Sequence, residues 1–232
     1  MVYHIIISHR QTEYLCQFPH QEASKTYAVF DAVTVEDLRC AERLGIEPVC
    51  SESKGNRGHN RNRGLEALVQ DRGLQDEDVV VFFDGDRVPS NYGSHTLLSL
   101  LESLDVLLFT CSEYDARMKK IYVPLDSAVR VDTGTLCNPF YSCGFAMRGS
   151  AIKAVQQFNG GPLFEPRFKG WGCEDQYLGL VCYHLGLRVG ITAGITLRGR
   201  VGGDSDRHPE YRESLQTYVD LIREKHLPIR CG

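Results

Sequence analysis

The sequence predicts an α/β fold with a central, mostly parallel sheet flanked by helices, and three observations lead there. Short runs of β-branched and aromatic residues at 3–7, 27–30, 46–50, 79–83 and 106–110 alternate with stretches of helical spacing, the order that builds βαβ units. The run Val79-Val80-Val81-Phe82-Phe83 has no polar alternation, which places it inside a sheet covered on both faces. It ends in Asp84-Gly85-Asp86, so two carboxylates stand where open α/β sheets bind ligands, at the C-terminal end of a central strand. Paired carboxylates there suit a hard divalent cation and the phosphates it carries, although Asp-Gly after a strand is also an ordinary turn.

The elements follow in order. Residues 3–7 make a first strand that runs into Ser8-His9-Arg10, and 27–30 a second that stops at Asp31. Thr34-Val35-Glu36-Asp37 has the form of a capping box, opening a helix with Leu38, Ala41 and Leu44 on one face and Gly45 as its stop. A third strand is expected over 46–50. Residues 54–63 carry four basic side chains (Lys54, Arg57, Arg61, Arg63) and no acid. Leu65, Leu68 and Val69 follow at helical spacing, so the basic stretch is expected on the loop and first turn of a helix ending near Gly73. Cations at a helix N-terminus oppose the macrodipole, and an anionic ligand would explain them. After the Asp84 strand come a helix over 94–104 and a strand over 106–110. Residues 112–138, with Arg117, Lys119, Lys120 and Arg130, read as an inserted hairpin.

A strand over 140–147, a helix capped by Ser150 and the stop Gly160-Gly161-Pro162 come next. Gly170-Trp171-Gly172-Cys173-Glu174-Asp175 then leads into a helix with Leu178, Val181, Cys182 and Leu185 inward, placing Glu174 and Asp175 in its first turn, where the macrodipole favours negative charge. A last strand covers 188–191, a glycine-rich segment over 196–208 is a candidate mobile loop, and Tyr211, Leu215, Tyr218 and Ile222 mark the inward face of a final helix.

At 232 residues, 42% hydrophobic and 24% charged, the chain fits one domain with a full core. A net charge of −4 excludes a surface basic all over. No apolar run approaches the ~18 residues needed to span a bilayer, and residues 2–7 are too short for a signal peptide. The nine cysteines contain no Cys-x-x-Cys, which points to a reducing, cytoplasmic setting, with Cys137 and Cys143 the nearby pair to inspect.

Four motifs in order, Arg61-Asn62-Arg63-Gly64, Asp84-Gly85-Asp86, Gly160-Gly161 and Trp171-Gly172-Cys173-Glu174-Asp175, resemble those of inverting nucleotide-sugar glycosyltransferases of the A-type (GT-A, Rossmann-like) fold. The first resembles the Arg-Asn-x-Gly of family-2 enzymes, the second the Asp-x-Asp signature, and the last two the Trp-Gly-x-Glu-Asp group of galactosyltransferases and chondroitin polymerases. The resemblance runs from Val2 to about Lys225 and implies a single catalytic domain over 1–232, its nucleotide-sugar half about 1–110 and its acceptor half about 111–232.

By that resemblance Asp86, helped by Asp84, and His208 hold Mn²⁺ or Mg²⁺ against the diphosphate of a UDP-sugar. Arg10 and Asp31 meet uridine and ribose, and Arg61 lies close to the nucleotide. Asp175 is the general base for the acceptor hydroxyl, Glu174 binds sugar hydroxyls, and Trp171 is a platform for a pyranose ring. Arg198, Arg200 and Arg207 are placed to close over phosphate. The acceptor is expected to be a glycan or saccharide and, as second choice, a hydroxymethylated DNA base reached by basic loops. The sequence departs from the family at Asp31-Ala32-Val33-Thr34, where an acidic-Gly-Ser-x-Asp run is usual, and Arg57 and Arg63 add charge that the motif does not expect. Two alternatives stand beside this reading. One is a haloacid-dehalogenase-like phosphatase using Asp84 and Asp86 with Asp204 or Asp206, and the other is a nucleotide-sugar binding module without catalysis.

Overall fold

A computed structural model describes residues 1–8, 12–53, 55–111, 127–136, 138–140, 143–170, 172–199 and 209–230. Its centre is β4 (Val79–Asp84), buried at every position, as a run of β-branched and aromatic residues without alternation requires. β1 (Val2–Ser8) lies parallel to β4, β2 (Lys25–Phe30) parallel to β1, and β3 (Glu47–Cys50) parallel to β2. These four strands all end on one edge, which is where Asp31 and Asp84 emerge.

Beyond β4 the sheet becomes mixed. β8 (Gly144–Arg148) runs antiparallel to both β4 and β6 (Val106–Cys111), and β9 (Val189–Gly199) is parallel to β6. β5 (Arg87–Ser90) and β7 (Ala128–Arg130) pair antiparallel with β9. Among the described residues the sheet has nine strands, in the order β3-β2-β1-β4-β8-β6-β9-β5, with β7 set beside β9. Residues 2–84 supply four mutually parallel strands, and beyond them β6 with β9 is the one parallel pairing among the described residues.

Helices cover both faces. α2 (Val35–Leu44) opens on the expected capping box, with Thr34 and Asp37 satisfying each other's backbone N–H, and closes on Gly45 in the left-handed region. Its inward face is Asp37, Cys40 and Ala41, whereas Leu38 is exposed. The short α1 (Thr12–Leu15) packs on it, Thr12 donating to Asp37. α3 (Arg57–Arg72) lies across β1 and β2. It starts earlier than its apolar spacing suggests, because Asn56 caps it by accepting the His59 N–H at 2.9 Å, so Arg57, Arg61 and Arg63 are helical rather than on a loop.

α4 (Ser94–Leu100), α5 (Gly149–Asn159), α6 (Glu174–His184) and α7 (Tyr211–Glu224) complete the layers. α5 begins at Gly149, one residue before its expected cap Ser150, with Arg148 at the N-cap. On α7 the buried residues are Ser214, Tyr218, Leu221 and Ile222, and Leu215 faces solvent. β9 continues to Gly199 through an irregularity between Thr192 and Thr196, so residues 196–199 are strand and not the start of a loop. Most of the expected hairpin at 112–138 and residues 200–208 lie outside the described residues. No described helix is long and apolar enough to cross a membrane.

Gly64 fixes how closely α3 sits on the sheet. A Cβ there would stand 2.5 Å from Ile5 Cγ2 and 3.0 Å from Val29 Cγ2. Gly64→Ala gains helix propensity of about 1 kcal/mol but must push the helix off β1 and β2. The expected outcome in urea unfolding is a net loss of about 1–3 kcal/mol; a variant as stable as the parent would refute the close approach.

Candidate active site

The site is built where the C-terminal edge of the parallel strands meets the N-termini of α3 and α6. Asp84 ends β4, held by its N–H on the Cys143 carbonyl at 3.0 Å. Arg61, one turn after Arg57 on the same face of α3, is fully buried and donates from Nη2 to Asp84 Oδ1 at 2.5 Å. Its Nη1 lies 3.7 Å from Glu174 Oε1, and its guanidinium carbon lies 5.3 Å from the centre of the Phe164 ring. Arg57 Nη1 approaches the other Asp84 oxygen at 3.4 Å. Burial of Arg57 opposes its charge, but Asp84, Glu174, Asp86 and Asp175 outweigh that and raise its pKa, which ties all four carboxylates to one guanidinium.

Two turns bring the carboxylates in. Gly85 donates its N–H to the Ile7 carbonyl at 2.7 Å, turning the chain so that Asp86 and then β5 cross the edge of the sheet. On the other side Gly172 (φ 95°) and Cys173 (φ 66°) are both left-handed, a sharp bend that starts α6 at Glu174. Gly170 and Gly172 leave room for Glu210 and Tyr211, so the start of α7 is packed against this bend. That is the physical use of the glycines around position 171.

Three asparagines of α3 fasten the surrounding segments. Asn56 Nδ2 donates to the Phe168 carbonyl at 3.0 Å, and Asn62 both donates to the Phe164 carbonyl at 2.7 Å and accepts the Phe164 N–H at 2.9 Å. Asn60 accepts from Ser51 Oγ at 2.6 Å and donates to Asp31 Oδ2 at 3.4 Å. Asp31 also accepts the Gly55 N–H at 2.9 Å, so its carboxylate orders the entry to α3. Gly58 touches Phe164 and comes within 3.6 Å of Glu174 Cγ, measured from the Cβ it lacks, which brings the start of α3 against the start of α6.

The structure therefore gathers Asp84, Asp86, Arg61, Glu174 and Asp175 and places Asp31 on the same edge of the sheet. Arg10, Trp171 and His208 lie outside the described residues, as do Arg200, Arg207 and Cys137. Arg63 pairs with Glu66 on the surface at 2.7 Å and takes no part. Arg57, which the motif did not anticipate, belongs to the site, and its four-residue spacing from Arg61 was the available signal. Arg87, buried with Nε 3.6 Å from Asp86 Oδ1, was also missed.

The electrostatics separate the four acids. Burial, then the Asp84 charge, raises the Asp86 pKa above the usual carboxylate range. A negative group held against another is the arrangement a cation relieves, and its oxygens suit a hard one. Among the described residues no group of three or more His, Cys, Asp or Glu can hold an ion unaided. Glu174 is pushed up to about 7, first by burial and then by Asp175, against the pull of Arg61 and Arg57. Asp175 is half-buried and accepts the Gln176 N–H at 2.8 Å in the first turn of α6, where the helix dipole favours its anion.

A search of protein-family models finds no match, and no curated protein sequence matches either. Solved structures do. Residues 1–349 of S. aureus TarS in complex with UDP-GlcNAc superpose with a TM-score of 0.56 at 20% identity, covering 96% of this chain and 67% of that one. GalNAc-T7 with UDP, GalNAc and Mn²⁺ gives 0.62 at 10% identity, covering 96% and 47%. Glucosyl-3-phosphoglycerate synthase from Mycobacterium tuberculosis, with Mn²⁺, UDP-glucose and phosphoglyceric acid, gives 0.61 at 14% identity, covering 98% and 80%. The fold shared with these structures is the GT-A glycosyltransferase fold.

The Glu174 shift fixes the sign of a pH effect. Below about pH 4.5 the group is protonated folded and unfolded; from there to about 7 only the unfolded chain ionises it, so stability falls as pH rises, and above 7 the penalty is complete. Glu174→Gln removes this slope. Urea midpoints measured from pH 5 to 8 are expected to shift in favour of the variant relative to the parent up to about pH 7 and to level off above it. A gap that does not change with pH would show that Glu174 titrates normally.

Proposed function

Starting from the GT-A fold, we propose that the chain is a metal-dependent, inverting glycosyltransferase that moves a hexose from a nucleotide diphosphate sugar, most simply a UDP-sugar, to an acceptor hydroxyl. The observation that carries this reading is that one buried guanidinium, Arg61, bridges Asp84 of the carboxylate pair at the end of the central strand and Glu174 of the pair at the N-terminus of α6. An inverting transfer needs these two halves, one for the leaving diphosphate and one for the incoming hydroxyl.

Asp86 is the residue that would hold Mn²⁺ or Mg²⁺, with His208 assigned beside it from the family resemblance; the ion would supply charge neutralisation to the departing diphosphate. Asp84 is engaged by Arg61 and Arg57, which assigns it to positioning these cations and, through them, the nucleotide. Asp31 at the end of β2, together with Arg10, is assigned to the nucleoside. Asp175 takes the acceptor proton as the hydroxyl oxygen bonds to the anomeric carbon and the bond from that carbon to phosphate breaks. Glu174, which holds its proton to about pH 7, is suited to donating a hydrogen bond to a sugar hydroxyl, with Trp171 as the ring platform.

The similar structures support the donor class, since they were solved with UDP-GlcNAc, with UDP, or with UDP-glucose. A saccharide acceptor is preferred over DNA because the described arginines at the site, Arg57, Arg61 and Arg87, each lie against a carboxylate rather than forming a basic patch. The phosphatase alternative requires a free nucleophilic aspartate early in the fold. Asp84 instead lies on β4 and is clamped by two guanidiniums, which lowers its nucleophilicity.

Nucleotide release from a panel of UDP- and GDP-sugars with Mn²⁺, with and without saccharide or hydroxymethylated DNA acceptors, tests the assignment. Asp86→Ala is expected to abolish metal-dependent donor binding. Asp175→Asn should keep donor binding and lose transfer by about 10²–10⁴-fold. The product anomer, read by NMR, should be opposite to that of the donor. Turnover that survives both substitutions would remove the proposal.

A further inference from the structure

A second chemical feature lies away from this site, on the face formed by α1 and α2. Cys16, the residue after α1, and Cys40, on α2, have their sulfurs 3.6 Å apart. Arg43, one turn beyond Cys40, places Nη2 3.4 Å from the Cys16 sulfur and 3.8 Å from that of Cys40. The pair opens into a cleft of about 520 Å³ that Glu13, Glu36 and Arg39 also line. Cys16 is exposed, whereas Cys40 is buried. We propose that Cys16 and Cys40 form a reversible oxidation site, a dithiol that a hydroperoxide converts to an intramolecular disulfide.

The geometry favours this over other uses of two thiols. A disulfide needs the sulfurs at about 2.05 Å, so an approach of about 1.5 Å closes the bond. A soft-metal site would need further ligands. Among the described residues no group of three or more His, Cys, Asp or Glu can hold a metal, and the Arg43 guanidinium stands against both sulfurs. The thiolate is the species that reacts with peroxide, and Arg43 is the cation within reach of both sulfurs.

The exposed and buried positions divide the chemistry. The Cys40 thiol is held above its usual pKa, first by burial and then by its hydrogen bond to Cys16, so it keeps its proton and Cys16 meets the oxidant. Cys16 thiolate attacks one peroxide oxygen; the S–O bond forms, the O–O bond breaks, and water or an alcohol leaves with the proton Cys16 gave up. The Cys40 sulfur then attacks the Cys16 sulfenic acid; the S–S bond forms, the S–O bond breaks, and water leaves with the Cys40 proton. Two thiols lose two electrons and the hydroperoxide gains them. The new bond fastens α1 to α2, beside the Thr12 to Asp37 hydrogen bond, and closes a loop that contains β2 and Asp31.

The reduced full-length chain is treated with hydrogen peroxide, remaining thiols are alkylated, and the peptides are mapped by mass spectrometry. The expected result is a Cys16 to Cys40 disulfide formed within monomers, reversed by dithiothreitol, while the exposed Cys50 is still alkylated as a thiol. The oxidised protein should melt higher by about 7–14 °C, as closing a loop of this length in a chain of this size predicts. Cys16→Ser, conservative at an exposed position, should fold normally and show neither the link nor the gain in melting temperature. The proposal is overturned if Cys16 proceeds to sulfinic acid with Cys40 still alkylatable, if Cys50 oxidises as fast as Cys16, or if Cys16→Ser shows the same rise in melting temperature.

Discussion

The architecture of the site depends on a single buried guanidinium. Arg61 has no exposure to solvent, and a charge removed from water at that depth is tolerated only where opposite charge and hydrogen bonding meet it. Asp84 provides the short hydrogen bond, Glu174 the second carboxylate, and the Phe164 ring a face with negative potential. These three partners come from β4, from α6 and from the loop before α6. Chain segments more than a hundred residues apart are therefore held in one register by the desolvation cost that Arg61 would otherwise carry.

The asparagines of α3 extend the same logic to neutral groups. Each of Asn56, Asn60 and Asn62 binds a backbone or side-chain group on another segment, and none can be replaced by an apolar residue without leaving a buried partner unsatisfied. Gly64 then lets the helix rest directly on β1 and β2, so the tips of Arg57 and Arg61 reach the strand ends. The Arg-Asn-x-Gly segment is thus a set of three mechanical parts: a charge anchor, a loop clamp and a close-packing contact.

These relations were legible in the sequence to different degrees. The unbroken apolar run of β4, the Thr34 capping box and the placement of Glu174 and Asp175 in a first turn follow from local rules, and local rules read them correctly. Helical spacing misplaced Leu38 and Leu215, because both helices rotate to bury polar or small groups, Asp37 and Cys40 in one case and Ser214 in the other. The early start of α3 was hidden because its first turns are polar yet buried, a pattern that binary hydrophobicity reads as loop. The long β9 was hidden by Gly194 and Gly199, and Gly199 is required because a Cβ there would collide with the Asp86 backbone. The Cys16 and Cys40 pairing depends on α1 folding back onto α2, a tertiary contact that spacing does not encode.

The cations at the start of α3 look unfavourable when the helix is considered alone, since they stand at the positive end of its dipole. Their setting reverses the sign. Among the described residues, Arg57, Arg61 and Arg87 face four carboxylates, and the buried Glu174 holds its proton to about pH 7, so cations and anions in the cluster are close to balanced. Asp86 is the strained member, its pKa raised first by burial and then by the Asp84 charge, against the pull of Arg87 and Arg57. A divalent cation arriving with a diphosphate would keep that balance while relieving Asp86, the ion against its carboxylate and the phosphates toward the arginines. The proposed donor complex is therefore the state in which the unfavourable placement of each charged residue is compensated, which gives a physical reason for two arginines to be kept at a helix start where local stability disfavours them.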